Sequence, residues 1–154
     1  MQELVNMLIS KNKTIATMES CTGGALVNEI TNALDASKVL KFSAITYSNE
    51  YKIKMGVDNK IIDKFTVYSI ETAKAMSKTI SNFTDSNYGI GITGKLNCVD
   101  ENNLTGSDNM VFVSIYDKDN DNYYTMSIEV LDQPRSLNKK LIVDKICLFL
   151  KNIV

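Results

Sequence analysis

The chain has 154 residues, 44% of them hydrophobic and 23% charged, which is the size and make-up of one globular domain around one core, expected to span residues 1–154. Lys+Arg 17 against Asp+Glu 18 leave a net charge of -1, and no apolar run approaches the roughly 18 residues of a membrane span, so neither nucleic acid nor membrane is expected as a partner. The count His 0 excludes Ser-His-Asp and Cys-His hydrolases, HExxH metalloproteases and imidazole-ligated metal sites, and no metal centre is expected.

Apolar residues at three- and four-residue spacing in Glu3-Leu4-Val5-Asn6-Met7-Leu8-Ile9 predict an amphipathic helix ending near Asn12. Thr14 to Met18 is short and β-branched and predicts a strand. The polar turn Glu19 to Gly24 follows, and a helical period resumes at Ala25 to Ile30. Beyond a polar loop at 35–38, Val39 to Tyr47 predicts a second strand, and Ser48-Asn49-Glu50 starts a helix that should stop at Gly56. A short helix is expected over 58–64. Ser69 is a credible N-cap for a helix over Ile70 to Phe83, whose stripe Ala73, Met76, Ile80 should face the core. Tyr88 to Gly94 alternates small and apolar residues like a buried strand that a neighbouring backbone approaches closely. A polar loop over 95–109 leads into Met110 to Tyr116 and Tyr123 to Val130, an antiparallel hairpin across a turn-rich spacer. After Pro134, the only proline, Leu137, Leu141, Ile142, Ile146, Phe149 and Leu150 mark a last amphipathic helix.

Alternating strands and helices followed by a hairpin predict an α/β fold: a three-layer α/β/α sandwich with a mixed sheet. Ligands of such folds gather beyond the carboxyl ends of strands, which here points to segments 19–24, 47–52 and 93–109. The cysteines Cys21, Cys98 and Cys147 are odd in number with no CxxC pair. With no recognisable leader at Met1-Gln2-Glu3, a cytoplasmic location is expected rather than a disulfide scaffold.

Ser20 sits between a strand and a helix, where the N–H groups of Cys21, Thr22, Gly23 and Gly24 could hold an anion or a developing oxyanion. Spacing alone leaves the alternative that Ser20 or Thr22 caps the helix and the glycines serve a tight turn. Without histidine a serine nucleophile needs another base, and a lysine serves if burial pulls its pKa from about 10.4 towards 7–8. Lys52, one turn into the helix after the second strand, is the candidate, with Tyr47 beside it to hold substrate or the pair; the alternative is a solvated surface lysine. Cys21 is either a reactive thiol at a helix start or a small packed residue.

The segments Glu19-Ser20-Cys21-Thr22-Gly23-Gly24 and Tyr47-Ser48-Asn49-Glu50-Tyr51-Lys52, with Gly56-Val57, resemble the two signatures of the CinA C-terminal-domain family, the nicotinamide mononucleotide (NMN) deamidases. Similarity continues through Ser69 to Met76, through Gly91-Ile92-Thr93-Gly94 and to Arg135 before the last helix, so it spans nearly the whole chain. The resemblance implies a CinA-like fold, often dimeric, that hydrolyses the amide of a small nucleotide, NMN, without a cofactor. It gives Ser20 the nucleophile's role, Lys52 the base's, and Tyr47 and Thr93 an orienting one. Substrate contacts would come from Glu19, Cys21, Thr22, Gly23, Gly24, Gly94 and Arg135, the arginine on the phosphate and the N–H groups near Cys21 and Thr22 on the oxyanion.

The chain also departs from the family's pattern. "TGIAGPGG" reads here Thr93-Gly94-Lys95-Leu96-Asn97-Cys98-Val99-Asp100, the "PVGTV" segment is Ser107 to Val111, and Gly-Asp-Arg is Gln133-Pro134-Arg135. Side chains in place of those glycines should reshape one wall of the pocket. Two functions therefore stay open: an amidohydrolase acting on NMN or a related amide, and a catalytically reduced relative that binds a nucleotide or a protein partner in the same cleft.

Overall fold

A computed structural model describes all 154 residues. Helix α1 (Gln2–Ser10) leads to β1 (Ile15–Glu19), α2 (Ala25–Thr31), a 3-10 turn (Ala36–Lys38) and β2 (Leu40–Ile45). Then come α3 (Asn49–Lys54), α4 (Asn59–Phe65), α5 (Ile70–Thr84), β3 (Tyr88–Gly94), the hairpin β4 (Met110–Asp117) and β5 (Asn122–Glu129), and α6 (Arg135–Ile153). The sheet runs β2-β1-β3-β4-β5. β1 is parallel to β2 and β3, whereas β3–β4 and β4–β5 are antiparallel, so the sheet is mixed.

The sheet's two faces have separate cores. One side of Ile15, Ile90, Ile92, Val113 and Ile115 packs on Leu4 and Leu8 of α1, Leu26 and Ile30 of α2, and Ile142 and Ile146 of α6. The other side, through Ala16, Met18 and Ala44, packs on Ile62 of α4 and on Met76 and Ile80 of α5. Period-2 alternation along the strands thus meets an apolar stripe on each helix, and three layers result.

The small residues of β3 set the distance of α5. A Cβ added at Gly89 would lie 2.0 Å from the Ser77 carbonyl oxygen, and one at Gly91 would lie 2.3 Å from that of Ala73. The close backbone approach expected from the alternation of Tyr88 to Gly94 is therefore realised by α5, whose N-cap is Ser69, with its hydroxyl accepting from the Thr72 N–H at 3.1 Å. Across the same contact the Ser77 hydroxyl bonds that of Ser114 on β4 at 3.0 Å.

From β1 the chain crosses one face through α2 to reach β2, then returns over the other face through α5 to reach β3. The order of strands reverses at β1, and a crevice opens beyond the carboxyl ends of β1 and β3. The turn after β1, the start of α3 and the loop after β3 meet there, as the three expected segments require.

Candidate active site

The Ser20 N–H donates to the Ile92 carbonyl at 3.0 Å, which prolongs the β1–β3 pairing by one residue past β1 and fixes the serine at the strand's end. The Thr46 N–H donates to the Glu19 carbonyl at 2.8 Å, tying in the chain after β2. α3 begins three residues after Thr46, capped by the Ser48 hydroxyl, and brings Lys52 back between the two strand ends. Lys52 Nζ donates to Ser20 Oγ at 3.1 Å and to the Thr46 carbonyl at 2.8 Å.

Lys52 is 1% exposed and Ser20 6%. Burial lowers the amine's pKa to about 8, the dominant effect, against weaker raising by the nearby Asp100 carboxylate. At pH 7 roughly a tenth of such an amine is neutral, against about one part in three thousand at the ordinary lysine value. The surface alternative for Lys52 is thereby excluded. Beside it, burial pushes the Cys21 thiol up to about 12, so it stays protonated and packs as a small residue.

The cleft over this pair has a volume of about 540 Å³, within the range of small-molecule sites. Ser20, Cys21, Tyr47, Gly94 and Arg135 are among the residues that line it. Neither the Cys21 N–H nor the Thr22 N–H donates to a protein acceptor. Tyr47 is 65% exposed and bonds neither member of the pair. Of the cations lining the cleft, Lys95 is paired with Asp108 at 2.8 Å and Arg135 has no ion pair.

Four residues expected at the substrate are employed otherwise. Glu19 is fully buried and does not line the cleft. Its carboxylate accepts from the Thr22 hydroxyl at 2.7 Å, from the N–H groups of Gly24 and Leu26 at 3.1 and 3.2 Å, and from that of Val27 at 2.9 Å. Glu19 therefore does for α2 what an N-cap side chain does, and neither Ser20 nor Thr22 caps that helix. With Thr22 and Gly24 held by Glu19, and the Gly23 N–H donating to the Ser20 carbonyl at 3.0 Å, these three face a separate depression beside Lys139. Left-handed φ of +60° and +92° at Gly23 and Gly24 turns the strand into the helix. Thr93, expected to help orient the pair, is fully buried and gives its hydroxyl proton to the Val67 carbonyl at 2.9 Å.

The reading of single residues missed the inner wall. Asp100 lies in the 95–109 loop and accepts from the Tyr68 hydroxyl, from Asn103 Nδ2 at 2.8 Å and from the Asn102 N–H at 3.0 Å. Asn49 Nδ2 at the start of α3 donates to Asn103 Oδ1 at 2.9 Å, so the loop is fastened to the helix that bears Lys52. The signal available in sequence was the density of Asn and Asp in a loop between two buried strands.

Residues 1–151 match the CinA C-terminal domain. The chain belongs to that family. Among the CinA relatives, the competence-damage inducible proteins of Thermoanaerobacter sp. (strain X514) and Clostridium botulinum (strain ATCC 19397 / Type A) are 40% and 43% identical over 96 residues, 61% of this chain. The chain spans less than a quarter of their length, 23% and 24%. A CinA superfamily protein from Escherichia coli superposes with a TM-score of 0.88 at 22% identity, covering 99% of this chain and 87% of that one. The competence/damage inducible protein from Agrobacterium tumefaciens does so at 0.84 and 22%, covering 98% and 93%. At that identity the agreement is one of fold, and it is the mixed-sheet CinA fold expected from the sequence. No helix is long and apolar enough to cross a membrane.

Proposed function

We propose that the chain is an amidohydrolase that converts the carboxamide of NMN, or of a closely related nucleotide, to the carboxylate with release of ammonia. The observation that carries this reading is the Lys52 amine, 1% exposed and 3.1 Å from Ser20 Oγ. Such an amine is neutral in part at physiological pH and has the serine hydroxyl within proton-transfer reach.

In this reading Ser20 Oγ attacks the amide carbon as Lys52 takes its proton. The Cys21 and Thr22 N–H groups receive the negative charge that forms on the amide oxygen. Lys52 returns the proton to the leaving nitrogen, the C–N bond breaks, and ammonia departs from an acyl-serine. Water then adds to the acyl carbon, giving a proton to Lys52. Collapse of that intermediate breaks the bond between the acyl carbon and Ser20 Oγ, Lys52 returns the proton to the serine oxygen, and the freed acid loses its own proton to solvent as it leaves as the carboxylate. Arg135, without a partner of its own, would hold the phosphate.

The test is formation of ammonia and nicotinate mononucleotide from NMN by the purified protein. Ser20→Ala and Lys52→Met are each expected to lower kcat by about 10³-fold or more, since a nucleophile and its base act as a unit. Turnover that survives either substitution, or none from folded wild-type protein, would overturn the reading. A second reading, a relative that binds a nucleotide without turnover, draws on the 95–109 loop, where Leu96, Cys98, Val99 and Asp100 line the cleft in a stretch for which the family's pattern is glycine-rich. Binding of NMN without ammonia release would favour it.

A further inference from the structure

Asp100 lines the same cleft as Ser20 and Arg135, half-buried and fixed in place. Its three donors are all neutral, namely the Tyr68 hydroxyl, the Asn103 amide and the Asn102 N–H. A carboxylate has about four lone-pair sites, so one is left for a ligand. No ammonium or guanidinium is paired with it, although Lys95, the nearest cation of the loop, is taken by Asp108. The Tyr68 hydroxyl and then the Asn103 amide hold Asp100 below the usual carboxylate range, which keeps it anionic at neutral pH. Its charge is felt, weakly, at Lys52, the amine beside Ser20. The guanidinium of Arg135, which has no ion pair, lines the same cleft.

We propose that Asp100 sets the charge specificity of this cleft: it selects a nucleotide whose amide-bearing ring is a cation over the same nucleotide with a neutral ring. Together with Arg135 it makes the cleft dipolar, matched to a ligand with a cationic ring at one end and a phosphate at the other. The inference rests on the amidohydrolase reading for the identity of that nucleotide. Among the residues that depart from the family's pattern, Asp100 is the one that adds a fixed charge without an ionic partner.

The experiment compares NMN with its reduced dihydronicotinamide form, which keeps the amide, ribose and phosphate but has an uncharged ring. Binding is measured calorimetrically on the Ser20→Ala protein, so that neither ligand turns over. NMN is expected to bind about twofold to fivefold more tightly, as one partly screened charge pair allows. Asp100→Asn should bring the ratio close to one, mainly by weakening NMN. Tyr68→Phe, which loosens the loop but keeps the charge, should preserve the ratio even if both affinities fall. An equal preference with and without the Asp100 charge, no preference in the parent, or no binding of either ligand would overturn the inference. The two readings fail separately. A ring-charge preference abolished by Asp100→Asn in a protein that releases no ammonia leaves the specificity standing and removes the chemistry. Ammonia release without such a preference does the reverse.

Discussion

Two buried ionisable side chains, Glu19 and Lys52, stand within one hydrogen-bonded step of Ser20 in the chain or in space, and the fold treats them in opposite ways. Lys52 has only two oxygen acceptors, one hydroxyl and one carbonyl, so burial is not compensated by an anion and the neutral amine gains. Glu19 receives four donors from the turn and the start of α2, so both of its oxygens are engaged. Replacing Glu19 with alanine would strand three backbone N–H groups and the Thr22 hydroxyl. The expected loss is about 3 kcal/mol or more of unfolding free energy, read as a lower urea midpoint at unchanged slope. A substrate contact would instead have raised KM and left the midpoint in place.

At the scale of elements, the packing of the sheet's second face depends on how closely α5 can approach it. Gly89 and Gly91 admit the α5 backbone where any side chain would collide with it. Gly91→Ala puts a methyl group 2.3 Å from a main-chain carbonyl oxygen, which cannot rotate away, so the helix must move. A destabilisation of about 3 kcal/mol is expected in chemical denaturation, and unchanged stability would show that α5 is not held at this distance. The alternation of glycine with Tyr88, Ile90 and Ile92 made this contact legible in sequence, as the Ser69 cap made the helix start and Gly56 the end of α3. What could not be read was where each polar side chain turns. Whether Glu19 meets a substrate or α2, and whether Thr93 meets Lys52 or Val67, depends on neighbours brought up by tertiary folding. Period and propensity do not contain that information.

For the molecule as a whole, a mixed sheet with helices on both faces follows from alternating elements and a late hairpin. A crevice at the point where strand order reverses follows from that fold. The placement of the reactive groups is legible to the same depth: segments 19–24, 47–52 and 93–109 were expected at one end of the sheet, and Ser20, Tyr47 and Gly94 line one cleft there. The partition of the glycine turn into a separate depression, and the fastening of Asp100 and Asn103 to α3, needed three-dimensional contacts that no single stretch of sequence encodes.

The sheet brings a lysine and a serine from distant segments into a buried pair, and the claim that matters most is that the lysine acts there as a base. Its pKa makes that claim measurable. A base must be neutral to accept the serine proton, so kcat/KM for ammonia release from NMN, followed from about pH 6 to pH 10, should rise with unit slope and level off. The midpoint is expected near the Lys52 pKa of about 8. A profile that is flat through this range, or that climbs only near the ordinary lysine value of 10.5, would contradict a buried neutral amine as the base at Ser20.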